Sequence, residues 1–301
     1  MRRLVLVANP AASGFTASLH REVVLILQGG FIVTTVWPDG ADEARSAAAE
    51  AAAEGYDVVV AMGGDGVAHQ VANGLIDSNT ALGVVPAGTT NVLRRILGLP
   101  AKPRLAAEAI ARSTGSRHLP TVRLDTTGPD GPATRFATFA AGIGFDAAVI
   151  RESERQPIKK VGTGTIHYMR STVRTVLGGY RRRLPTLRVM VDGRSTDAVS
   201  AIVQVHDDFT YLGRTDLSLG EPPPVAVSIR RVTASRLLSL VVRAARRRPI
   251  DRVRGVRVWT NFANMTVDAE PAEWMEADGE LIGKVARLEV TPEPARLLVV
   301  A

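Results

Sequence analysis

The sequence predicts an α/β amino-terminal domain on an open, mostly parallel sheet, joined to a second, β-rich, sandwich-like domain. Three observations carry this. Up to about residue 120, strand-like apolar runs alternate with helix-like amphipathic stretches. Beyond it the texture changes to short alternating strands separated by Gly, Pro and Asp turns, as in "TVRLDTTGPDGPATRFATFAAG" and "TLRVMVDGRSTDAVSAIVQV". The chain also has 301 residues, and a single core stops growing near about 250–300. The expected domains are 1–120, with a last strand near 295–301 returning to it, and 121–294.

Each element has its own signal. "RLVLVANP" reads as a strand ending in a polar turn, and "ASLHREVVLILQGG" as an amphipathic helix closed by glycines. "FIVTTVWP" is a second strand, and "GADEARSAAAEAAAEGY" an alanine-rich helix with acidic residues near its start. "DVVVAM" reads as a third strand, apolar throughout and so buried on both faces. "HQVANGLID" is helical, "ALGVVPAG" another strand, and "NVLRRILGL" another helix stopped by Pro100. In the second domain helices are expected near 147–152, 166–177 and 234–247, and "ARLEVTPEPARLLVVA" is expected to form two final strands.

Composition narrows the function. Hydrophobic content is 46% and charged content 22%, ordinary for a globular protein, and no apolar run reaches the roughly 18–20 residues needed to span a bilayer. The five-residue apolar run before Asn9 and Pro10 is too short for a signal-peptide core. Absence of cysteine removes disulfides and thiolate ligands and fits a cytoplasmic setting. The net charge of +7 asks for an anionic partner. Arginines concentrate in "GGYRRRLP" and "RAARRRPIDRVRGVR", beside leucines and valines; with 5% aromatic residues and no DNA- or RNA-binding signature, nucleic acid is disfavoured. The oligomeric state is not set by the sequence, a homodimer being one option.

The chemistry concentrates in "VVVAMGGDGVAHQVANGL". Gly63, Gly64 and Gly66 let the backbone approach phosphate oxygens closely, whereas Asp65 would repel a polyphosphate unless a divalent cation lay between, which implies Mg²⁺. A carboxylate at a helix N-terminus is favoured in any case, so a plain strand-to-helix turn is the competing reading. "NPAASG" and "PAGTTN" also follow predicted strands of the same sheet, and three polar loops at one sheet edge make a site. There is no Walker lysine motif. "GIGFDA" fits a dinucleotide fingerprint but lacks the following strand and acidic residue, so it is set aside.

Taken together, "NPAASG", "GGDGVAHQVANG", "PAGTTNVLRRILGLP", "LDTTG", "AGIGFDA" and "EADGELIG" occur in the order and spacing of a known family. The chain resembles the diacylglycerol kinase catalytic domain family, which includes bacterial lipid kinases and sphingosine kinases, on a fold shared with NAD kinases. The resemblance implies that Gly63, Gly64, Asp65, Gly66, Thr89 and Asn91 bind ATP phosphates and Mg²⁺, with Asn9, Ser13 and Gly14 helping to hold the nucleotide. It implies that Asp278 and Glu280 are catalytic carboxylates across an interdomain cleft, Asp278 being the first choice for the base, and that Asp125 assists at the metal. The implied reaction is transfer of the ATP γ-phosphate to a lipid hydroxyl, with diacylglycerol the leading acceptor and phosphatidic acid the product. Sphingoid bases, ceramide, monoacylglycerols and glycolipids stay open as acceptors, and an NAD kinase-like metabolite kinase or a non-catalytic lipid- or nucleotide-binding regulator are the rivals.

The chain departs from the family at several points. Val67 stands where a threonine is usual, Val92 where several bacterial relatives carry aspartate, and His69 and Gln70 where many have Asn and Glu. "GRTDLSLGEPPPV" matches the acidic metal-binding segment of some relatives poorly. Arginines between 230 and 257, with Leu237, Leu238, Leu240, Val241 and Val242, suggest reversible contact with an anionic inner membrane face; leucines at that spacing read first as core.

Overall fold

The computed structural model describes residues 2–154, 174, 178–206, 210–212, 215–217, 224–246 and 248–301. Most of the expected helix at 166–177 and most of the "GRTDLSLGEPPPV" segment lie outside these residues. The chain divides into two compact units, Met1–Thr121 with Glu293–Ala301, and Val122–Pro292.

In the first unit, β1 (Arg2–Ala8), β2 (Phe31–Val36), β3 (Val58–Gly63) and β4 (Ala81–Pro86) form a parallel sheet in the order β4-β3-β1-β2. Every residue of β3 and β4 is buried, which is why both read as unbroken apolar runs. Helix α1 (Ala17–Leu27) packs with α5 (Pro103–Arg112), and α2 (Ala41–Ala53) with α3 (Asp65–Leu75). The alanine-rich face of α2 has a packing reason: a Cβ at Gly74 of α3 would lie 2.3 Å from the Arg45 carbonyl oxygen and 2.8 Å from the Ala48 Cβ. Only small residues allow the two helices so close.

The strand order places a topological switch between β1 and β3, because the chain leaves β1 toward β2 on one side and returns to β3 on the other. Ligands in open α/β sheets sit outside the carboxyl ends of the strands at such a point. The loops that follow β1 and β3 are "NPAASG" and "GGDG".

Two elements differ from expectation. Helix α4 (Val92–Ile96) is only five residues long, and α5 then starts at Pro103. Proline at the first helical turn, followed by Ala106, Ala107 and Ile110 on the buried face, was the available signal for α5. The carboxyl-terminal region is one strand, β16 (Glu280–Val300), rather than two. Its first half pairs with the second unit as far as Val290, and Val299 pairs with Leu82 of the first. Pro292 and Pro294 fall between these pairings, where the fixed proline φ keeps the chain extended and no ladder donor is needed.

The second unit is antiparallel, with β14 (Val256–Thr260), β13 (Val225–Ile229), β10 (Ser200–Gln204), β7 (Ala140–Gly144), β15 (Met265–Ala277) and β16 side by side. Strands β5 (Ser116–Gly128) and β6 (Gly131–Ala137) form a hairpin, as do β8 (Leu187–Val191) and β9 (Arg194–Ala198). Its main core includes Leu124, Ile143, Val189, Val267, Met275 and Leu288. A second core gathers Phe145 and Val149 of α6 (Phe145–Glu154) with Val227, Ile229 and Val232, against which Leu237 and Leu240 of α7 (Ala234–Ala245) pack. No helix of the described residues is long and apolar enough to cross a membrane.

Candidate active site

The three loops of the first unit are tied to one another by backbone hydrogen bonds. The Asn9 amide donates to the Met62 carbonyl at 3.0 Å, and the Gly63 carbonyl accepts from Ala87 at 2.8 Å and Gly88 at 3.1 Å. Gly14 closes the third side by donating to the Ala87 carbonyl at 2.8 Å. Gly88 is needed for contact: a Cβ there would lie 2.5 Å from the Gly64 Cα, closer than any real Cβ contact. The sequence-predicted residues Asn9, Ser13, Gly14, Gly63, Gly64, Asp65, Gly66, Thr89 and Asn91 are thus carried by loops in direct mutual contact.

Their side chains divide into those that build the loops and those that face outward. The Asn9 Oδ1 accepts from the Ala11 amide at 2.9 Å, shaping the first loop. Asn91 has φ +53°, a left-handed conformation that asparagine tolerates, and its amide bridges to Gly88, accepting at 3.2 Å and donating at 2.7 Å. Its part is to hold the loop. Asp65 opens α3 and its Oδ1 accepts from the Leu93 amide at 3.3 Å, linking the signature loop to the start of α4. Ser13 and Thr89 are exposed. Gly64 caps α3 with no side-chain hydrogen bond, so the amides of the first turn are not capped by a side chain and can face an anion.

Both departures at valine have packing reasons. Val67 is buried beneath Gly63, where an added Cβ would come 2.3 Å from its Cγ1, and Val92 is buried in the first turn of α4. His69 is buried on α3, where Asn73 donates to its carbonyl at 3.0 Å.

In the second unit the two expected carboxylates sit in different surroundings. Asp278 is 1% exposed. Its Oδ1 accepts from the amides of Thr138, Phe139 and Ala140 at 3.0, 2.9 and 3.2 Å, and its Oδ2 from the Thr138 amide and hydroxyl at 2.8 and 2.9 Å. Four donors, the Thr138 amide being shared between both oxygens, fill the carboxylate's acceptor sites. It anchors the 138–140 segment. Glu280, by contrast, is half-buried and begins β16 immediately after the turn.

Asp125 sits in β5, where Arg123 holds it at 2.9 Å and the Thr134 hydroxyl at 2.5 Å. Burial pushes its carboxyl up, but the Thr134 hydrogen bond and the Arg123 guanidinium prevail and hold it below the usual value. Asp125 is thus already engaged by Arg123 and Thr134.

Sequence reasoning missed Glu276 and Asp146, two further acids beside the Asp278 turn. Their signal was the "GIGFDA" segment that fitted no cofactor. Gly142 sits opposite Glu276 in the β7–β15 register, and a Cβ there would fall 2.6 Å from Asp146 Oδ2 and 2.9 Å from Glu276 Oε1.

The fold and the glycine-rich loop define a class, the α/β proteins with a β-rich second unit found in diacylglycerol kinases and NAD kinases. A putative diacylglycerol kinase from Bacillus anthracis superposes with a TM-score of 0.73 at 18% identity, covering 99% of this chain and 97% of that one. An NAD kinase from Archaeoglobus fulgidus solved with ATP gives 0.51 at 13% identity, covering 99% and 93%. Residues 3–123 match the family model described as Diacylglycerol kinase catalytic domain. The diacylglycerol kinase of Bacillus subtilis is 38% identical over 111 residues, 36% of this chain and 37% of the relative. That of Mycobacterium tuberculosis is 30% identical over 157 residues, 51% and 49%. The chain spans about half or less of the length of these curated relatives.

Proposed function

We propose that the protein is an ATP-dependent lipid kinase that transfers the γ-phosphate to a lipid hydroxyl, with diacylglycerol the leading acceptor. The observation that carries this reading is the interlocked glycine loop at the switch point of the sheet, with unprotected α3 amides and Asp65 at one place. Phosphoryl transfer demands positioning and charge stabilisation more than covalent chemistry. The α3 amides, Ser13 and Thr89 would hold phosphate oxygens. Asp65 fits Mg²⁺, which characteristically takes one or two carboxylates and otherwise keeps waters and substrate phosphates. When bound, the ion supplies neutralisation of phosphate charge.

Glu280 is the residue to which we assign the acceptor proton. A carboxylate is far too weak a base to strip a hydroxyl of pKa near water's, about 15.7, before reaction. It can align the hydroxyl and accept its proton late, which suits a loose transition state.

The test is transfer of labelled γ-phosphate from ATP with Mg²⁺ to a panel of lipid hydroxyls in mixed micelles, with NAD in parallel and Asp65→Asn as control. Transfer to a lipid that is lost in the variant supports the reading and names the acceptor. Transfer to NAD alone, or nucleotide binding without turnover, overturns it.

Access to a lipid requires an interface, and α7 is the surface assigned to it. Leu237 and Leu240 face the core, but Leu238 is 65% and Val242 37% exposed on the opposite side, with Arg231, Arg246 and Arg248 also exposed. No acidic residue occurs between Glu221 and Asp251. Arg247 lies outside the described residues. This composition suits an anionic, reversible membrane contact, to which each arginine adds about 1 kcal/mol. Joint replacement of Leu238 and Arg246 by glutamate should weaken co-sedimentation with phosphatidylglycerol vesicles by about tenfold or more, leaving stability unchanged. Unchanged vesicle binding would rule α7 out.

A further inference from the structure

Three aromatic rings meet beside the "NPAASG" loop. Phe15 and Trp37 stand edge to face, with centroids 5.8 Å apart and planes at 86°. The His20 ring lies 4.4 Å from that of Trp37 and 6.2 Å from that of Phe15. Chain order and strand register bring them together. Phe15 follows Gly14, the residue whose amide bonds Ala87 of the third loop, and its own amide donates to the Ala12 carbonyl at 2.9 Å. Thr16 then caps α1, its hydroxyl accepting from the Leu19 amide at 3.1 Å. Trp37 arrives from the neighbouring strand: Val36, the last residue of β2, pairs with Val7 of β1, so Trp37 emerges at the same sheet edge as Asn9.

Two of the rings have an ordinary structural reason. With Thr16 at the N-cap, Phe15 precedes the cap and His20 is the fourth helical residue, the positions that form a hydrophobic staple. Burial lowers the His20 pKa, so at neutral pH the imidazole joins the staple as an uncharged ring. The staple does not account for Trp37. It stands outside the helix, packs against both rings, and is still 45% exposed.

We propose that Trp37 is the stacking platform for the purine base of the nucleotide, with Phe15 and His20 holding the indole in place. This deepens the lipid kinase reading and rests on it for the identity of the ligand. Placement is the first argument. Along the order β4-β3-β1-β2, three consecutive strand ends carry the "PAGTTN", "GGDG" and "NPAASG" loops, and the fourth carries Trp37. Ligands of open α/β sheets lie outside these carboxyl ends. On the β4 side the space beside the signature loop is filled, because Gly88 packs against Gly64 so closely that a Cβ would lie 2.5 Å from its Cα. A nucleotide whose phosphates meet the glycine loops therefore extends its base toward β2.

The second argument is chemical. A purine is flat and uncharged and presents a π-face, which an indole covers well. The indole is also pre-organised. Pro38 restricts the Trp37 backbone to extended conformations, and two neighbouring rings pack against the side chain, so little freedom remains to be lost on stacking. Stacking reads the face of a base and not its edge, so Trp37 supplies affinity for purines and leaves the choice between ATP and GTP to other groups.

The experiment titrates the full chain with ATP and Mg²⁺ in a calorimeter, without lipid, and uses inorganic tripolyphosphate as the probe that has phosphates and no base. Trp37→Ala should weaken ATP by about 5- to 150-fold, the range that alanine replacement of a stacking aromatic gives, while tripolyphosphate affinity and the urea midpoint stay at wild-type values. Trp37→Phe should hold ATP within about fivefold of wild type, because a phenyl ring still stacks. It should also abolish the quenching of tryptophan emission that ATP causes in wild type, since the other two tryptophans, Trp259 and Trp274, belong to the second unit. Unchanged ATP affinity in Trp37→Ala overturns the proposal, even if vesicle binding is lost. Equal losses for ATP and tripolyphosphate overturn it too, by marking Trp37 as a support of the loop alone. A wild type that binds ATP through Trp37 and phosphorylates no lipid supports the platform and overturns the kinase reading instead. A wild type that binds no ATP overturns both.

Discussion

Asp278→Ala is expected to lose about 3–5 kcal/mol of folding stability, the range found when one partner of a buried, charge-assisted network is removed. The side chain serves three consecutive backbone amides and the Thr138 hydroxyl, all inside the second unit and out of reach of water. Alanine leaves those amides buried without an acceptor. It also sits badly at φ +53°, which aspartate and asparagine tolerate better. Asp278→Asn removes the second objection, keeps one oxygen for the amides, and turns an N–H toward the Thr138 amide; its expected cost is roughly half. Urea unfolding followed by circular dichroism measures both, with the midpoint falling and the slope unchanged. For a domain of about 5–15 kcal/mol stability the alanine variant approaches the folding limit. Loss of phosphotransfer in it would therefore say nothing about proton transfer. Wild-type stability in Asp278→Ala would show that the hydrogen-bond network is not the anchor described.

The three loops of the first unit were legible because their logic is local. A glycine loop after an apolar strand, repeated at three strand ends, is visible in the order of residues alone, and parallel pairing then brings the loops together at the switch point. What each side chain does there was less visible. Asn91 could be read as a phosphate ligand, but its amide is spent on Gly88, three residues earlier. On the second unit the sequence marked a turn but not which of its acids is buried. "DGE" announces a two-residue hairpin, and Asp278 and Gly279 take positive φ of 53° and 83° as such a turn requires. Which acid faces inward depends on the β7–β15 register and on amides 138–140, which are about 140 residues away in sequence. Motif reasoning cannot see that distance. The same blindness hid Asp146 and Glu276, whose only sequence trace was a glycine pattern, "GIGFDA", that fitted no cofactor.

Glu280→Gln should separate the two neighbouring acids, lowering kcat for lipid phosphorylation by about 10²–10⁴ while leaving stability within about 0.5 kcal/mol of wild type. The expectation follows from position. Glu280 stands opposite Ala277 at the mouth of the hairpin, half-buried, at the first residue of β16, whereas Asp278 two residues earlier points inward. Glutamine preserves volume and hydrogen-bonding reach but cannot accept a proton at neutral pH, so what it removes is the late proton transfer from the acceptor hydroxyl. If that is its role, ATP affinity stays unchanged, because the nucleotide is assigned to residues of the first unit, and the loss falls on kcat. The comparison with Asp278→Ala is what gives the result meaning: one variant should be inactive and fully stable, the other unstable first and inactive in consequence. A Glu280→Gln protein that retains kcat within a few-fold would remove Glu280 from the chemistry. One that unfolds as Asp278→Ala does would show that Glu280, too, is part of the scaffold and that the proton acceptor has to be sought elsewhere.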